Sequence, residues 1–136
     1  MTEAGLKRLA EDEGFSGVPY KCTADKTTIG FGFNLEAWPL TPAECLPILK
    51  SRADKVKADL ANRIGFFYRL PEAAQDVLVN MGYQMGVAGV MGFKKTLEYM
   101  RDGRWEDAYH EMQRSDWVKD TPNRCRRLAD VIRSLG

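Results

Sequence analysis

The sequence predicts an α+β fold, mostly helical, with two lobes: a small N-terminal lobe with a β-hairpin or small sheet, a long connecting helix, and a helical C-terminal lobe. Glycines and short β-prone pieces cluster in residues 14–32, apolar steps of three and four follow in residues 46–64, and helical patterns fill residues 72–135. We expect a single domain, 1–136, with one lobe over residues 12–60 and the other over 61–136 together with helix 3–11.

The N-terminal lobe begins with a short helix over residues 3–12, whose Leu6, Leu9 and Ala10 share one face and which Gly14 ends. Two short strands, 18–20 and 27–29, are separated by a polar turn at residues 23–26. A small hairpin is therefore predicted, with a third short strand near Phe33.

The connecting helix has a well-defined start at Thr41, which is followed by Pro42 at the first helical position and Glu44 at the capping-box position. Apolar residues then recur at helical spacing to about residue 63. Pro47 removes a backbone donor and clashes with the preceding turn, so we expect a kink or a separate first turn there.

The C-terminal lobe is predicted to be helical from Pro71 onward, with interruptions in the glycine-rich stretch 82–92. Gly103 marks a helix stop, and Thr121 with Pro122 opens the last helix.

Composition is that of an ordinary globular protein, with 44% hydrophobic and 29% charged residues and a net charge of +1. This balance gives no indication of a nucleic-acid or membrane partner. Cys22, Cys45 and Cys125 have neither a disulfide nor a zinc pattern, so we expect reduced thiols, and no metal or organic cofactor. Because the N-terminus lacks an apolar leader and no stretch reaches the roughly 20 apolar residues of a membrane span, we expect synthesis in the cytoplasm.

The candidate site consists of Glu13, Cys22 and Thr28. Glu13 would end the first helix, and the other two would lie on the strands of the hairpin. A carboxylic acid that faces a second polar group across a sugar is the minimal equipment for breaking a glycosidic bond. An ionised carboxylate at a helix C-terminus is unfavourable, so we expect Glu13 to have a cationic partner.

Each of these residues also has a structural interpretation. Glu13 alone is compatible with a solvated helix end, Cys22 with a small buried side chain, and Thr28 with an ordinary strand residue. A Cys22–His110 peptidase would need an oxyanion hole, for which no motif is present, and His110 fits a surface helix position. The arginines of the last helix fit a solvated face.

The sequence resembles the T-even phage lysozymes, the phage-type endolysins of glycoside hydrolase family 24, from about residue 6 to residue 133. Blocks typical of that family occur in order along the chain: Asp12-Glu13-Gly14, Tyr20-Lys21, Thr28-Ile29-Gly30-Phe31-Gly32, Asn80-Met81, Gln84-Met85-Gly86, Gly89-Val90, Gly92-Phe93, Gly103-Arg104-Trp105 and Thr121-Pro122-Asn123-Arg124. Together, in this order, they are highly specific.

The resemblance implies a muramidase that cuts the β-1,4 bond between N-acetylmuramic acid and N-acetylglucosamine in peptidoglycan. By position, Glu13 matches the family's general acid, while Cys22 and Thr28 match the residues that hold the attacking water in an inverting reaction. Arg124 matches an arginine that pairs with the acid.

Substrate-binding positions follow from the same resemblance. Gly32, Tyr83 and Gln84 match positions in the substrate groove.

Three departures from the T-even pattern stand out. Cys22 replaces an Asp, although the wider family includes Cys at this position. Phe33 replaces a His, so the ion pair made by that His is unavailable. Only six residues separate Asn34 from Thr41, so the N-terminal lobe should be shorter.

The expected partners are peptidoglycan glycan strands, with no nucleic acid and no stable membrane insertion, and a monomer is expected. The enzyme would be made in the host cytoplasm and would reach the periplasmic cell wall after permeabilisation by a separate protein such as a holin. The alternative is a non-catalytic peptidoglycan-binding or phage tail structural module on the same fold. A nucleic-acid binder that uses the basic last helix is a weaker alternative.

Overall fold

The computed structural model describes all residues, Met1–Gly136, which group into two compact units, Met1–Pro47 and Ile48–Gly136. The predicted α+β class is confirmed, with seven α-helices, one short 3-10 helix and a three-stranded antiparallel sheet. The elements are α1 Glu3–Glu13, β1 Ser16–Lys21, β2 Thr27–Gly30, β3 Phe33–Asn34, α2 Pro42–Arg63, the 3-10 helix Phe67–Arg69, α3 Glu72–Met91, α4 Lys94–Arg101, α5 Trp105–Arg114, α6 Trp117–Asp120 and α7 Pro122–Arg133. The boundary predicted near residue 60 lies within α2, and the predicted division into lobes stays a prediction.

The sheet of the first unit has the order β1-β2-β3, so β2 is its central strand. Tyr20 pairs with Thr28 across β1 and β2, and Thr28 pairs with Asn34 across β2 and β3. Thr28 is the only fully buried residue of Met1–Pro47. Its place at the centre of the sheet explains its burial, since it has a neighbouring strand on each side.

Helix α1 begins and ends as its sequence predicts. The Thr2 hydroxyl caps the start by accepting the Gly5 N–H at 3.0 Å. The helix ends at Glu13, because Gly14 adopts a φ of 69° and its N–H bonds to the Ala10 carbonyl. No side chain of α1 is fully buried, and Leu6 and Leu9 remain exposed.

The loop between β3 and α2 is fixed by its own hydrogen bonds. The Asn34 side chain accepts the N–H groups of Glu36 and Ala37, and its carbonyl accepts the N–H of Trp38 at 3.0 Å. The Glu36 carboxylate accepts the N–H of Thr27 at 2.6 Å, which ties the loop to the start of β2. This loop is therefore anchored to the same strand that carries Thr28.

The predicted capping box at the start of α2 is confirmed. The Glu44 carboxylate accepts the Thr41 N–H at 3.0 Å, and the Thr41 hydroxyl accepts the Glu44 N–H at 3.3 Å. No separate first turn forms at Pro47, because α2 continues through this residue as one helix. A proline so close to the helix start removes a single backbone bond, which the remaining turns tolerate.

The core lies in the second unit and is formed by the inner faces of α3, α4, α5 and α7 with the end of α2 and the 3-10 helix. Its largest fully buried side chains are Phe67, Leu60, Leu78, Met81, Met100, Met112 and Ile132. No helix combines the length and apolar character that crossing a bilayer requires.

The interruptions predicted in the glycine-rich stretch 82–92 occur at two of its glycines. The helix is kinked at Gly86, whose φ is 80°, and it ends at Met91, before Gly92. Gly82 lies within the helix, and a Cβ there would stand 2.7 Å from Val56 Cγ1. Because α2 and α3 approach closely at this point, there is no room for a side chain at residue 82. The glycine therefore permits close packing and does not interrupt α3.

Candidate functional site

The Glu13 side chain is the last of α1 and lies against the backbone of Gly32 in the β2–β3 turn. A Cβ atom on Gly32 would collide with Glu13 Oε2. Gly32 also has a φ of 69°, a backbone conformation that favours glycine. The structure therefore brings together two of the predicted site residues: Glu13, the candidate acid, and Gly32, which the resemblance placed in the substrate groove.

A groove of about 790 Å³ contains both Glu13 and Gly32. We call it the α1–loop groove, because its walls come from α1, residues 31–34 and residues 37–44. Its exposed apolar side chains are Leu6, Leu9, Phe31, Phe33, Trp38 and Leu40. Its size lies within the range typical of ligand sites.

Phe33, which stands where the T-even pattern has a histidine, has a packing role here. Its ring lies so close to Gly30 that a Cβ on that glycine would stand 2.6 Å from it. The ring also meets Phe31 edge to face, with centroids 6.4 Å apart. Phe33 therefore packs against Gly30 and Phe31.

Cys22 follows directly on β1, one residue beyond the strand on which it was predicted to lie. Its N–H donates to the Lys26 carbonyl at 3.0 Å, and its carbonyl accepts the Asp25 N–H at 2.8 Å. Asp25 has a φ of 58°, which lets the turn fold back on itself. The turn thereby directs backbone N–H groups toward the Cys22 sulfur.

These N–H groups change the acidity of the thiol. The backbone N–H of Lys26 is the largest cause of a lowered Cys22 pKa, and the N–H of Ala24 is the next. Partial burial raises this pKa, and the Thr28 hydroxyl lowers it by a smaller amount. The Thr28 hydroxyl has one proton, and in the structure it donates that proton to the Lys26 carbonyl at 2.9 Å. Donating it to the sulfur instead requires only a rotation of the hydroxyl. This arrangement can hold a thiolate beside a small hydroxyl.

The turn of residues 22–26, which we call the Cys22 corner, and the α1–loop groove are both connected to the three-stranded sheet. Thr28 is the partner of Cys22 in the corner, and Asn34, its cross-strand neighbour, lines the groove. The Glu36 carboxylate that accepts the Thr27 N–H braces the same region. The assignment of Glu13, Cys22 and Thr28 as catalytic residues stays a prediction.

In the second unit, both the oxygen and the nitrogen of the Gln84 amide form hydrogen bonds. Its oxygen accepts the indole N–H of Trp117 at 3.0 Å, and its nitrogen donates to the Thr121 hydroxyl at 3.0 Å. These bonds connect α3 to α6 and to the start of α7. Gln84 also lines a cavity of about 710 Å³ in this unit. Its amide therefore organises three helices, and its predicted role in substrate binding stays a prediction.

The other predicted residues of the second unit lie on α3 and α7. Tyr83 is partly exposed on α3. The Arg124 guanidinium donates hydrogen bonds to the Asn80 side-chain oxygen at 2.7 and 2.9 Å and to the Asn80 backbone carbonyl at 3.2 Å. The pairing of Arg124 with Glu13 that the resemblance implies stays a prediction.

His110 is half-exposed on α5, 3.2 Å from the Glu106 carboxylate. No three His, Cys, Asp or Glu side chains come together as metal ligands would.

Two features of the site were not identified from the sequence. The N–H groups of Lys26 and Ala24 act through the backbone, which no side-chain motif reveals. Trp38 lines the same groove as Glu13, and the signal that could have identified it is a tryptophan in the short segment between Asn34 and Thr41.

Comparison with known proteins places the chain in a family. The phage lysozyme family profile matches residues 10–131. The chain is 28% identical to "Probable T4-type lysozyme 1" of Dictyostelium discoideum, an alignment that covers 91% of this chain and 90% of that protein.

Two further similarities are local. "Probable T4-type lysozyme 2" of the same organism is 38% identical over 55 residues, 40% of this chain and 32% of that protein. The "Pre-baseplate central spike protein Gp5" of Enterobacteria phage T4 is 41% identical over 58 residues, 43% of this chain and 10% of that protein. Because the family profile covers nearly the whole chain, this protein belongs to the phage lysozyme family, whose members are lysozyme-type glycosidases.

Proposed function

We propose that this protein is a muramidase that hydrolyses the β-1,4 bond between N-acetylmuramic acid and N-acetylglucosamine in bacterial peptidoglycan. Family membership supports the reaction class. The observation that supports the residue assignment is the Cys22 corner, where the backbone N–H groups of Lys26 and Ala24 lower the pKa of the thiol near Thr28. A thiol without such donors is a poor base at neutral pH.

Glu13 is the proposed general acid. It donates its proton to the glycosidic oxygen as the bond to the anomeric carbon breaks, and the leaving sugar departs as an alcohol. Gly32 supports this role, because its missing side chain leaves room for the carboxyl group in the groove.

Cys22 and Thr28 are proposed to hold the attacking water. The thiolate accepts a proton from this water as its oxygen bonds to the anomeric carbon, while the Thr28 oxygen helps to orient it. Glu13 ends as a carboxylate and Cys22 as a thiol, and exchange with solvent restores both. Attack by water from the face opposite Glu13 inverts the anomeric configuration.

We further propose that the protein acts as a monomer on glycan strands of the cell wall. It would be made in the host cytoplasm and reach the periplasmic peptidoglycan after a separate protein, such as a holin, permeabilises the membrane. Host-cell lysis and antimicrobial activity are the consequences of this proposal.

The test is the release of reducing sugars from purified peptidoglycan by the parent protein and by Glu13→Gln. We expect the variant to keep its fold and to lose activity by about 10²–10⁴-fold, the usual contribution of a general acid. Glu11→Gln, also on α1 but outside the groove, is the matched control and should remain active. Full activity of Glu13→Gln contradicts the assignment.

A non-catalytic wall-binding or tail module is the second candidate, and the local similarity to a phage spike protein favours it. The same assay separates the two functions. A binding module sediments with peptidoglycan and releases no reducing sugar, whereas a muramidase releases it.

A further inference from the structure

We propose that Trp38 is a positioning residue for the substrate: its indole stacks on the apolar face of an uncharged N-acetylhexosamine ring in the α1–loop groove. This inference rests on the proposed function and adds to it the residue that holds the sugar beside the acid.

Trp38 lies at the surface and does not contribute to the hydrophobic core. Its side chain is 78% exposed, although exposing a large aromatic surface to water is unfavourable. Its backbone is nevertheless fixed, because its N–H donates to the Asn34 carbonyl. The Glu36 carboxylate anchors the same loop to Thr27. An exposed aromatic ring on an anchored loop is typical of a binding surface, since little order remains to be imposed when a ligand binds.

Trp38 shares its groove with the proposed acid. Both Trp38 and Glu13 line the space of about 790 Å³, and Phe31 and Leu40 extend its apolar surface. Pyranose rings carry C–H groups on their faces and hydroxyl groups at their edges. They therefore stack on aromatic rings while their edges remain hydrogen-bonded to polar groups. Such polar groups are available at Asn34 and Glu13.

The charges of the groove determine which part of peptidoglycan fits. Its lining carries three carboxyl groups, Glu3, Glu13 and Glu44, and one ammonium group, Lys7. An acidic stem peptide would be repelled by this excess of negative charge, whereas an uncharged sugar face would not. The occupant that the lining favours is therefore the neutral sugar ring and not the peptide.

The kinetic test compares Trp38→Ala and Trp38→Phe with the parent on soluble peptidoglycan fragments. We expect Trp38→Ala to raise KM roughly tenfold, in the range of one lost aromatic contact, and to change kcat and the melting temperature little. Trp38→Phe should restore most of the affinity, because it retains a ring. Tyr68→Ala is the matched control, since Tyr68 is 69% exposed and lies outside the groove, and it should leave KM unchanged.

Two kinetic results would overturn the proposal. One is a KM that stays at the parent value in Trp38→Ala. The other is an equal loss of activity in Trp38→Ala and Trp38→Phe accompanied by a lowered melting temperature, which would assign Trp38 a structural role.

A binding test separates this inference from the proposed function. Glu13→Gln and Glu13→Gln/Trp38→Phe are titrated with uncharged β-1,4-linked oligomers of N-acetylglucosamine. The two variants differ only at Trp38, so the difference between their fluorescence spectra gives the emission of this residue. When the sugar binds, we expect this emission to shift to shorter wavelength and to be quenched less by acrylamide. An unchanged difference spectrum refutes stacking, whether or not Glu13 proves catalytic. Conversely, hydrolysis by Glu13→Gln refutes the catalytic assignment without affecting this measurement.

Discussion

The carboxyl group of Glu13 lies so close to Gly32 that a methyl group on this glycine would occupy the space of Oε2. One residue ends α1 and the other lies in the turn between β2 and β3, so the contact fixes the end of the helix against the sheet. The position of the proposed acid therefore depends on the absence of a side chain 19 residues further along the chain.

Gly32→Ala is predicted to displace the acid. The new methyl group must push Glu13 aside, and the backbone strain of alanine at positive φ costs about 1–2 kcal/mol. We expect activity on peptidoglycan to fall more than the loss of folded protein explains. Gly103→Ala carries the same strain, with a φ of 71° and open space around its Cβ, and serves as the control. Equal effects of the two variants on activity per folded molecule would contradict the prediction.

Substitution of Cys22 tests its role as the base. Cys22→Ser should lose most activity, because a serine hydroxyl does not ionise near neutral pH. Cys22→Asp should keep a good part, since a carboxylate can accept the same N–H groups of Lys26 and Ala24. Initial rates of reducing-sugar release measure both effects, with Cys45→Ser, a partly buried thiol on α2, as the control. Parent-like activity of Cys22→Ser would make the thiol a packing residue.

The pH dependence of kcat should reflect the lowered pKa of Cys22. A base acts in its ionised form, so the rate should rise as pH increases through the lowered pKa, below the ordinary thiol value of about 8.5. The free energy of unfolding should also rise with pH over this range. The stabilising contribution of the thiolate is complete above the ordinary thiol pKa and is lost as pH falls through the lowered one.

Cys22→Asp supplies the control for the pH profile, because its rising limb should move toward the acidic range of a carboxyl group. A rising limb that stays in place in Cys22→Asp would assign the titration to another group.

Gln84→Leu is predicted to destabilise the second unit. The buried indole N–H of Trp117 would lose its acceptor, which costs about 1–3 kcal/mol for an unsatisfied buried donor. Urea unfolding measures this loss. Gln113→Leu is the matched control, because the Gln113 amide nitrogen is already buried without a partner, so its removal should be neutral or stabilising. A larger loss at Gln113 than at Gln84 would refute this account.

Arg124→Ala tests the pairing that the resemblance implies. The bonds of Arg124 to Asn80 are exposed, so their loss should change the free energy of unfolding by less than about 1 kcal/mol. If Arg124 also supports Glu13, activity should fall well beyond that small loss. Asn80→Ala removes the two bonds to the Asn80 side chain and retains the arginine, so it should remain the more active of the two. The opposite order would leave Arg124 a purely structural residue.

Local chemistry made several parts of the fold predictable. The end of α1 at Glu13, the hairpin and the capping box at Thr41 each follow from neighbouring residues, because caps, turns and short strands are decided within a few positions. The ordered blocks of the sequence likewise identified the family, which the profile match confirms.

Relationships between distant segments could not be predicted in this way. Interruptions were expected within residues 82–92, but which glycines would cause them was not. Gly82 lies inside the helix, because whether a glycine interrupts a helix or permits close packing depends on what approaches it, here Val56. The engagement of Gln84 by Trp117 and Thr121 joins residues more than 30 positions apart.

For this protein, the order of residues was sufficient to identify most of the secondary structure, the family and the candidate acid, thiol and hydroxyl. Only the tertiary structure determined the surroundings of these groups. It showed the N–H groups near the Cys22 thiol, the contact between Glu13 and Gly32, and the exposed Trp38 in the groove that Glu13 lines. The physical reason is that acidity and access depend on donors, packing and solvent brought in from other segments, which spacing along a chain does not encode.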